Sequence, residues 1–206
     1  MARSSKPRPP QIQGEGKTLV VVATGASGAR LAFRLLEHLL NHEGVAAVHF
    51  VGSEAFKLVL FREEGRRLDP ALRVLRNRAK LHLYREAQLD ACIASGSFRV
   101  DGTVVIPASM STVGTLAAGA GRNLCHRAAE VALKEGRPLI LVPRETPLSL
   151  IHLRALTTLR EAGATIAPFC PAFYQQPATI EDLMDHFLMR LLDQLGLDST
   201  ISSRWA

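Results

Sequence analysis

Hydrophobic positions along this chain fall into blocks that switch between strand and helix periodicity. Residues 18–23, Thr-Leu-Val-Val-Val-Ala, form an unbroken β-branched and apolar run, as a strand covered on both faces requires. Residues 45–51, 104–106 and 139–142 repeat that pattern. Between the first two runs, residues 29–41 carry Leu31, Leu35, Leu36, Leu39 and Leu40 at helical spacing. Ser53 is placed to cap a second helix running to about residue 61. Residues 124–135 read as a helix stopped by Gly136, and 149–161 as another ending near Gly163. Thr179-x-x-Asp182 has the form of a capping box opening a last helix to about residue 195. A short strand is expected at 165–167. The charged stretch 62–101 is the hardest to read, and it predicts a strand near 81–84 and a helix near 86–93. The alternation, with no internal repeat, predicts an α/β fold built on one doubly wound, mainly parallel sheet.

Composition narrows this to a single domain, because 206 residues with 47% hydrophobic content fill one good core. Residues 1–17 carry Arg3, Lys6, Arg8 and Lys17 among prolines and glycines, and read as a disordered basic leader before a domain at 18–206. They lack the apolar stretch of a signal peptide, and no apolar run approaches the roughly 20 residues of a membrane span. A cytoplasmic protein with no membrane partner is expected. Cys92, Cys125 and Cys170 are odd in number and far apart, which argues against a disulfide framework and suggests buried bystanders. No CxxC or paired-histidine spacing indicates a metal site, and His152 reads as a core histidine rather than a base.

The net charge of +6 raises the question of nucleic acid. Arg62, Arg66, Arg67, Arg73, Arg76, Arg78 and Lys80 do cluster, but no aromatic residues interleave with them and no nucleic-acid motif is present. A basic face, a subunit contact or an anionic small ligand suits the pattern better.

The candidate chemistry sits where strands end. Gly25-Ala26-Ser27-Gly28-Ala29 joins the first strand to its helix, so amides at the helix start can face an anion or a polar ring edge. It is not GxGxxG, and no acid ends the second strand where a dinucleotide ribose would need one, so a mononucleotide is favoured over NAD. Ser53 follows the second strand, and Ser109-Met110-Ser111-Thr112 follows the third principal one. Arg144 and Glu145 leave the run at 139–142, where open α/β sheets place their ligands, although such a pair can also be an ion pair that fixes its loop.

With these turns in hand, the chain resembles the UbiX-type flavin prenyltransferases. The resemblance rests on Gly25-Ala26-Ser27-Gly28-Ala29, Ser95-Gly96-Ser97, Arg127-Ala128-Ala129-x-Val131-x-Leu133-Lys134-Glu135, Arg137-Pro138-Leu139, Arg144-Glu145-x-Pro147 and Pro171-x-Phe173-Tyr174, and runs from about Thr18 to Trp205. It implies a Rossmann/flavodoxin-like three-layer αβα domain, assembled as a homo-dodecamer with FMN at subunit interfaces. It also implies an activity: dimethylallyl monophosphate alkylates reduced FMN, a ring closes, and prenylated FMN passes to a UbiD-type decarboxylase, commonly in ubiquinone biosynthesis. Carried over by position, FMN rests on Gly25, Ala26, Ser27, Ser53, Ser109, Met110, Ser111, Thr112 and Arg144. Ser95, Arg127, Lys134, Tyr174 and Arg190 grip the prenyl phosphate, with guanidinium, ammonium and hydroxyl donors that suit a dianion without a metal. Glu63 and Glu145 handle protons, and Ser27 and Lys134 complete the catalytic set. Trp205 offers a π face to developing allylic cation character.

Glu54, Met110 and Phe169-Cys170 depart from the family pattern. The rival activity is an FMN-dependent peptidyl- or phosphopantothenoylcysteine-type decarboxylase. Pro107-Ala108-Ser109 fits that group's turn, but the Asn expected after it is missing, and so is the substrate clamp expected near Pro171. A flavin carrier without chemistry would have no use for Lys134, Glu145 and Arg190.

Overall fold

The first strand reaches one residue further back than the apolar run suggested, because Lys17 already donates to the Gly44 carbonyl across the edge of the neighbouring strand. The structure is a computed structural model that describes residues 16–75 and 77–202. Six parallel strands form one sheet in the order β3-β2-β1-β4-β5-β6. They are β1 Lys17–Ala23, β2 Val45–Gly52, β3 Leu81–Arg85, β4 Gly102–Ala108, β5 Leu139–Pro143 and β6 Thr165–Ile166. The helices are α1 Ala29–Asn41, α2 Glu54–Glu64, α3 Leu68–Arg73, α4 Met110–Ala117, α5 Leu124–Lys134, α6 Leu150–Glu161 and α7 Ile180–Gln194.

Side-chain alternation divides the interior into two cores. Leu19, Val21 and Ala23 of β1 face the core built with α1, α2, α3 and α7, while Val20 and Val22 face the core built with α4 and α5. The result is a three-layer αβα domain. The order reverses between β1 and β4, so the rim above these two strands is the switch point where such sheets hold ligands.

That rim is tied together by hydrogen bonds between successive turns. Ser53 N donates to Ala23 O at 2.9 Å, and Thr24 donates to Pro107 O through both its amide (3.0 Å) and its hydroxyl (2.9 Å). Ser109 N returns a bond to Thr24 Oγ1 at 2.8 Å, and Arg144 N donates to Ala108 O at 3.1 Å. Four strand ends are thereby held in register with one another.

One expectation fails in the middle of the chain, and two helices there were not expected. Residues 86–93 are not a helix but turns followed by a single 3₁₀ turn, Cys92–Ala94. The Glu86 carbonyl that would bond within a helix instead accepts Leu124 N at 2.7 Å and starts α5. α3 lies inside the charged stretch, where no apolar periodicity marks it, and Pro70 in its first turn is compatible with a helix. α4 is not announced by its sequence, since Ser111, Thr112, Val113 and Gly114 are weak helix formers; burial of Met110, Val113 and Leu116 overrides that propensity. His152 and Cys170 also differ from their readings as buried residues. His152 belongs to the capping box of α6, with Ser149 N 3.4 Å from its Nδ1, and Cys170 is exposed.

Candidate active site

A cavity of about 510 Å³ opens on the sheet rim, lined by Gly25, Ala26 and Ser27 of the first turn, Ser109 and Met110 of the β4–α4 turn, and Arg144 and Glu145 after β5. Leu58, Val59, Arg62 and Glu63 of α2 close its far wall. The volume falls in the range of pockets for drug-sized ligands, about 300–1,000 Å³. At Gly25 an added Cβ would lie 2.5 Å from the Ala55 Cβ, so the absent side chain lets the turn and α2 approach closely.

The hydroxyls of the rim are already oriented by the backbone. Ser53 and Ser109 are the N-caps of α2 and α4, with Ser53 Oγ accepting Phe56 N at 3.0 Å and Ser109 Oγ accepting Thr112 N at 3.3 Å. Ser109 also donates to Thr112 Oγ1 at 3.1 Å, and Ser111 stays exposed. Arg144 and Glu145 are both exposed and do not pair with each other among the described residues. Glu145 Oε1 instead accepts Thr146 N at 3.2 Å. Among the described residues no ion pair fixes the loop, and both charged groups line the cavity.

Glu63 does something the sequence did not disclose. Gly28, the N-cap of α1, has no side chain to offer, and the Glu63 carboxylate supplies the missing acceptor for Gly28 N (3.1 and 3.2 Å) and Ala29 N (2.9 Å). A carboxylate therefore stands at the positive end of α1, on the cavity wall.

The residues expected at the prenyl phosphate divide into two groups. Ser95, Arg127 and Lys134 meet where α5 passes the 94–97 loop. Arg127 Nε donates to Ala94 O at 3.0 Å, Ser95 and Ser97 share a hydroxyl bond of 2.8 Å, and the Lys134 ammonium pairs with Glu135. A Cβ on Gly96 would sit 2.6 Å from Lys134 Nζ, so the glycine makes room for that ammonium. Arg137, part of the Arg137-Pro138-Leu139 motif, clamps the same loop through Phe98 O (2.8 Å) and Gly96 O (2.7 Å). Tyr174 and Arg190 lie elsewhere. α7 packs in the core on the opposite sheet face from α5, and the half-exposed Tyr174 bonds His186 of α7 at 3.0 Å while Arg190 on the same helix is exposed. Trp205 lies outside the described residues.

The Flavoprotein family matches residues 8–191 of the chain. The flavin prenyltransferase LpdB of Lactiplantibacillus plantarum is 47% identical over 189 residues, covering 92% of this chain and 98% of its own. This chain belongs to the UbiX-like flavin prenyltransferases. Two solved structures carry the same architecture. AnUbiX (PadA1), in complex with FMN and dimethylallyl pyrophosphate, superposes with a TM-score of 0.85 at 38% identity over 93% of this chain and 98% of that one. A dodecameric FMN-dependent UbiX-like decarboxylase from Escherichia coli O157:H7 does so at 0.84 and 40%, over 92% and 99%. The cysteine decarboxylase TvaF, at 18% identity and a TM-score of 0.59, shares the fold alone. The prenyltransferase activity expected from the motifs is thereby upheld over the decarboxylase alternative.

Proposed function

We propose that this prenyltransferase binds reduced FMN in the rim cavity and alkylates it with dimethylallyl monophosphate. The supporting observation is a single flavin-sized cavity that gathers Gly25–Ser27, Ser109–Met110, Arg144 and two carboxylates, Glu63 and Glu145. The lining fits the cofactor: small residues admit a flat ring, and capped serines, helix-start amides and one guanidinium suit polar ring edges and a phosphate. Ser53, Ser111 and Thr112 extend this set along the rim. When bound, the reduced flavin supplies the electron-rich ring that accepts the prenyl group.

The chain's own groups do the rest. Arg127, Lys134 and Ser95 on one side, and Tyr174 and Arg190 on the other, hold the phosphate and stabilise the negative charge that grows on its leaving oxygen. Glu145 delivers a proton to the departing phosphate and takes one from the ring side, with Glu63 as a fixed negative charge at the cavity wall and Ser27 positioned at the ring edge. Trp205 lends a π face to the allylic charge.

The two phosphate-binding groups sit on opposite sheet faces, so one chain does not complete the site. We therefore propose a homo-oligomer, with the dodecamer as its form, in which neighbours supply the missing half. Exposed Leu58, Phe61, Leu150, Ile151 and Phe173 are apolar surface suited to that burial. The prenylated FMN product passes to a UbiD-type decarboxylase in the cytoplasm, a route that includes ubiquinone biosynthesis; this part of the proposal is supported by the motif resemblance. No described helix is long and apolar enough to cross a membrane.

Phosphate release tests the proposal. Anaerobic enzyme given dimethylallyl monophosphate should release inorganic phosphate only when reduced FMN is present. Release at the same rate with FMN omitted would make the protein a phosphatase and overturn the reading.

A further inference from the structure

The loop that carries Ser95 is held to the edge of the sheet by side chains that touch no ligand. It runs from the 3₁₀ turn Cys92–Ala94 to Phe98, with Ser95 and Ser97 exposed and Ile93 buried in the core beneath. At its far end, the Phe98 ring meets His49 of β2 edge to face, with centroids 5.1 Å apart. At its start, Cys92 Sγ lies 3.3 Å from the hydroxyl of Tyr84 on β3. The same hydroxyl is 2.8 Å from His49 Nδ1. Both ends of the loop therefore converge on one buried pair, His49 and Tyr84.

An orphaned nitrogen decides which way these bonds run. His49 Nε2 is buried with no hydrogen-bond partner among the described residues. Burial first, and then the neighbouring His82, hold the His49 pKa at about 4, so at neutral pH the ring carries a single proton. On Nε2 that proton would be a buried N–H without an acceptor, whereas on Nδ1 it leaves only an unused lone pair. Orphaned buried N–H groups are rarer in proteins than under-satisfied acceptors, so the Nδ1–H tautomer is favoured. His49 then donates to Tyr84 Oη, and the Tyr84 hydrogen goes to Cys92 Sγ. The bond that the phenol accepts strengthens the one it donates. Packing of Ile93 holds the loop down without direction; the bond to Cys92 sets where on the sheet edge the loop begins.

We propose that Tyr84 is a positioning residue for prenyl transfer: oriented by His49, it donates to Cys92 and sets the loop against which Ser95, Arg127 and Lys134 assemble. The inference rests on the reading that these three hold the prenyl phosphate. A shift at Cys92 reaches each of them. Ser95 N bonds Cys92 O at 3.1 Å, Arg127 Nε bonds Ala94 O at 3.0 Å, and the Lys134 ammonium occupies the room that Gly96 leaves.

Steady-state kinetics at saturating reduced FMN, with dimethylallyl monophosphate varied, test this on the full-length oligomer. Tyr84→Phe keeps the ring stack but removes the hydroxyl, Cys92→Ala removes the acceptor, and Cys92→Ser returns one. Tyr84→Phe and Cys92→Ala should each raise KM for the prenyl phosphate about three- to tenfold, the range set by one hydrogen bond. kcat should change less, and FMN affinity should stay at the wild-type value. The double variant should be no worse than Tyr84→Phe, and Cys92→Ser should keep a KM near wild type. Lys134→Ala checks the reading beneath: a wild-type KM in that variant overturns the phosphate assignment itself. A wild-type KM in Tyr84→Phe or in Cys92→Ala, with a raised one in Lys134→Ala, overturns the role of Tyr84 and leaves that assignment standing. Equal losses of FMN and prenyl phosphate affinity in Tyr84→Phe would reduce Tyr84 to a packing residue. If Tyr84→Phe does not fold, Cys92→Ala and Cys92→Ser decide: equal KM values for the two contradict the proposal.

Discussion

Glu63 Oε2 accepts the Ala29 amide at 2.9 Å, thirty-four residues away in sequence, and so caps α1 from the last turn of α2. The carboxylate does locally what Ser53 does for α2, because Gly28 cannot. Its position joins stability to the candidate site, since the same side chain lines the cavity. Glu63→Ala should therefore cost about 1 kcal/mol of stability, as loss of an N-cap does, and should also lower turnover. Glu63→Gln keeps an acceptor oxygen and should recover most of the stability but not the turnover. Chemical denaturation and initial rates measure the two effects; a Glu63→Gln variant with wild-type turnover would leave Glu63 a cap alone.

Gly25 should resist the smallest substitution. A methyl there would meet the Ala55 methyl at 2.5 Å, and neither can rotate away. Gly25→Ala is expected to destabilise by about 1–3 kcal/mol, the usual cost of overpacking, and to weaken FMN binding as the turn shifts. Thermal melting and a flavin titration check this. Wild-type values for both would mean that the turn and α2 are not held as described.

Stability should also fall in mild acid through a histidine remote from the rim cavity. His49 on β2 is 2% exposed, stacks on His82 and Tyr84, and has its Nδ1 2.8 Å from the Tyr84 hydroxyl. Burial first, and then the neighbouring His82, push its pKa down from 6.5 to about 4. Its folded pKa lies below its unfolded one, so the unfolded chain binds the extra proton and stability is lost as pH drops from 6.5 to 4. The loss attributable to this group reaches about 3 kcal/mol. Denaturation at several pH values should show a flatter profile across that window for His49→Phe than for wild type. Parallel profiles would contradict the assignment.

The strands and most helices were legible because each carries its own periodicity. Thr179 and Asp182 announce α7, and the capping box is present there. The middle of the chain was not, since its outcome depends on distant partners: the Glu86 carbonyl is taken by Leu124, and α4 forms against a core that its sequence does not reveal. The same division holds at the site. Gly25–Ser27, Ser109–Met110 and Arg144–Glu145 follow strand ends, and a parallel sheet brings strand ends to one rim. Glu63 on the α1 terminus, Arg137 on the 96–98 carbonyls and His186 on Tyr174 are contacts made across the fold. No spacing within one element encodes them.

Glu145 is the residue whose chemistry can be separated from its shape. Its carboxylate lines the cavity and bonds only its own loop amide among the described residues. Glu145→Gln should leave FMN and prenyl phosphate binding near wild type while slowing turnover by about 10²–10⁴-fold, the range of a general acid–base residue. Single-turnover rates and equilibrium titrations separate the two quantities. An unchanged rate would transfer the proton step to another group, with Glu63 next in line.

If the rim cavity joins a prenyl group to a flavin, the flavin itself records it. Mass spectrometry of the flavin extracted after anaerobic incubation of the enzyme with reduced FMN and dimethylallyl monophosphate addresses it most directly. Wild type should yield a flavin heavier than FMN by one dimethylallyl-derived unit, and Glu145→Gln should suppress it. Recovery of FMN with unchanged mass, under conditions where both ligands bind, would contradict it.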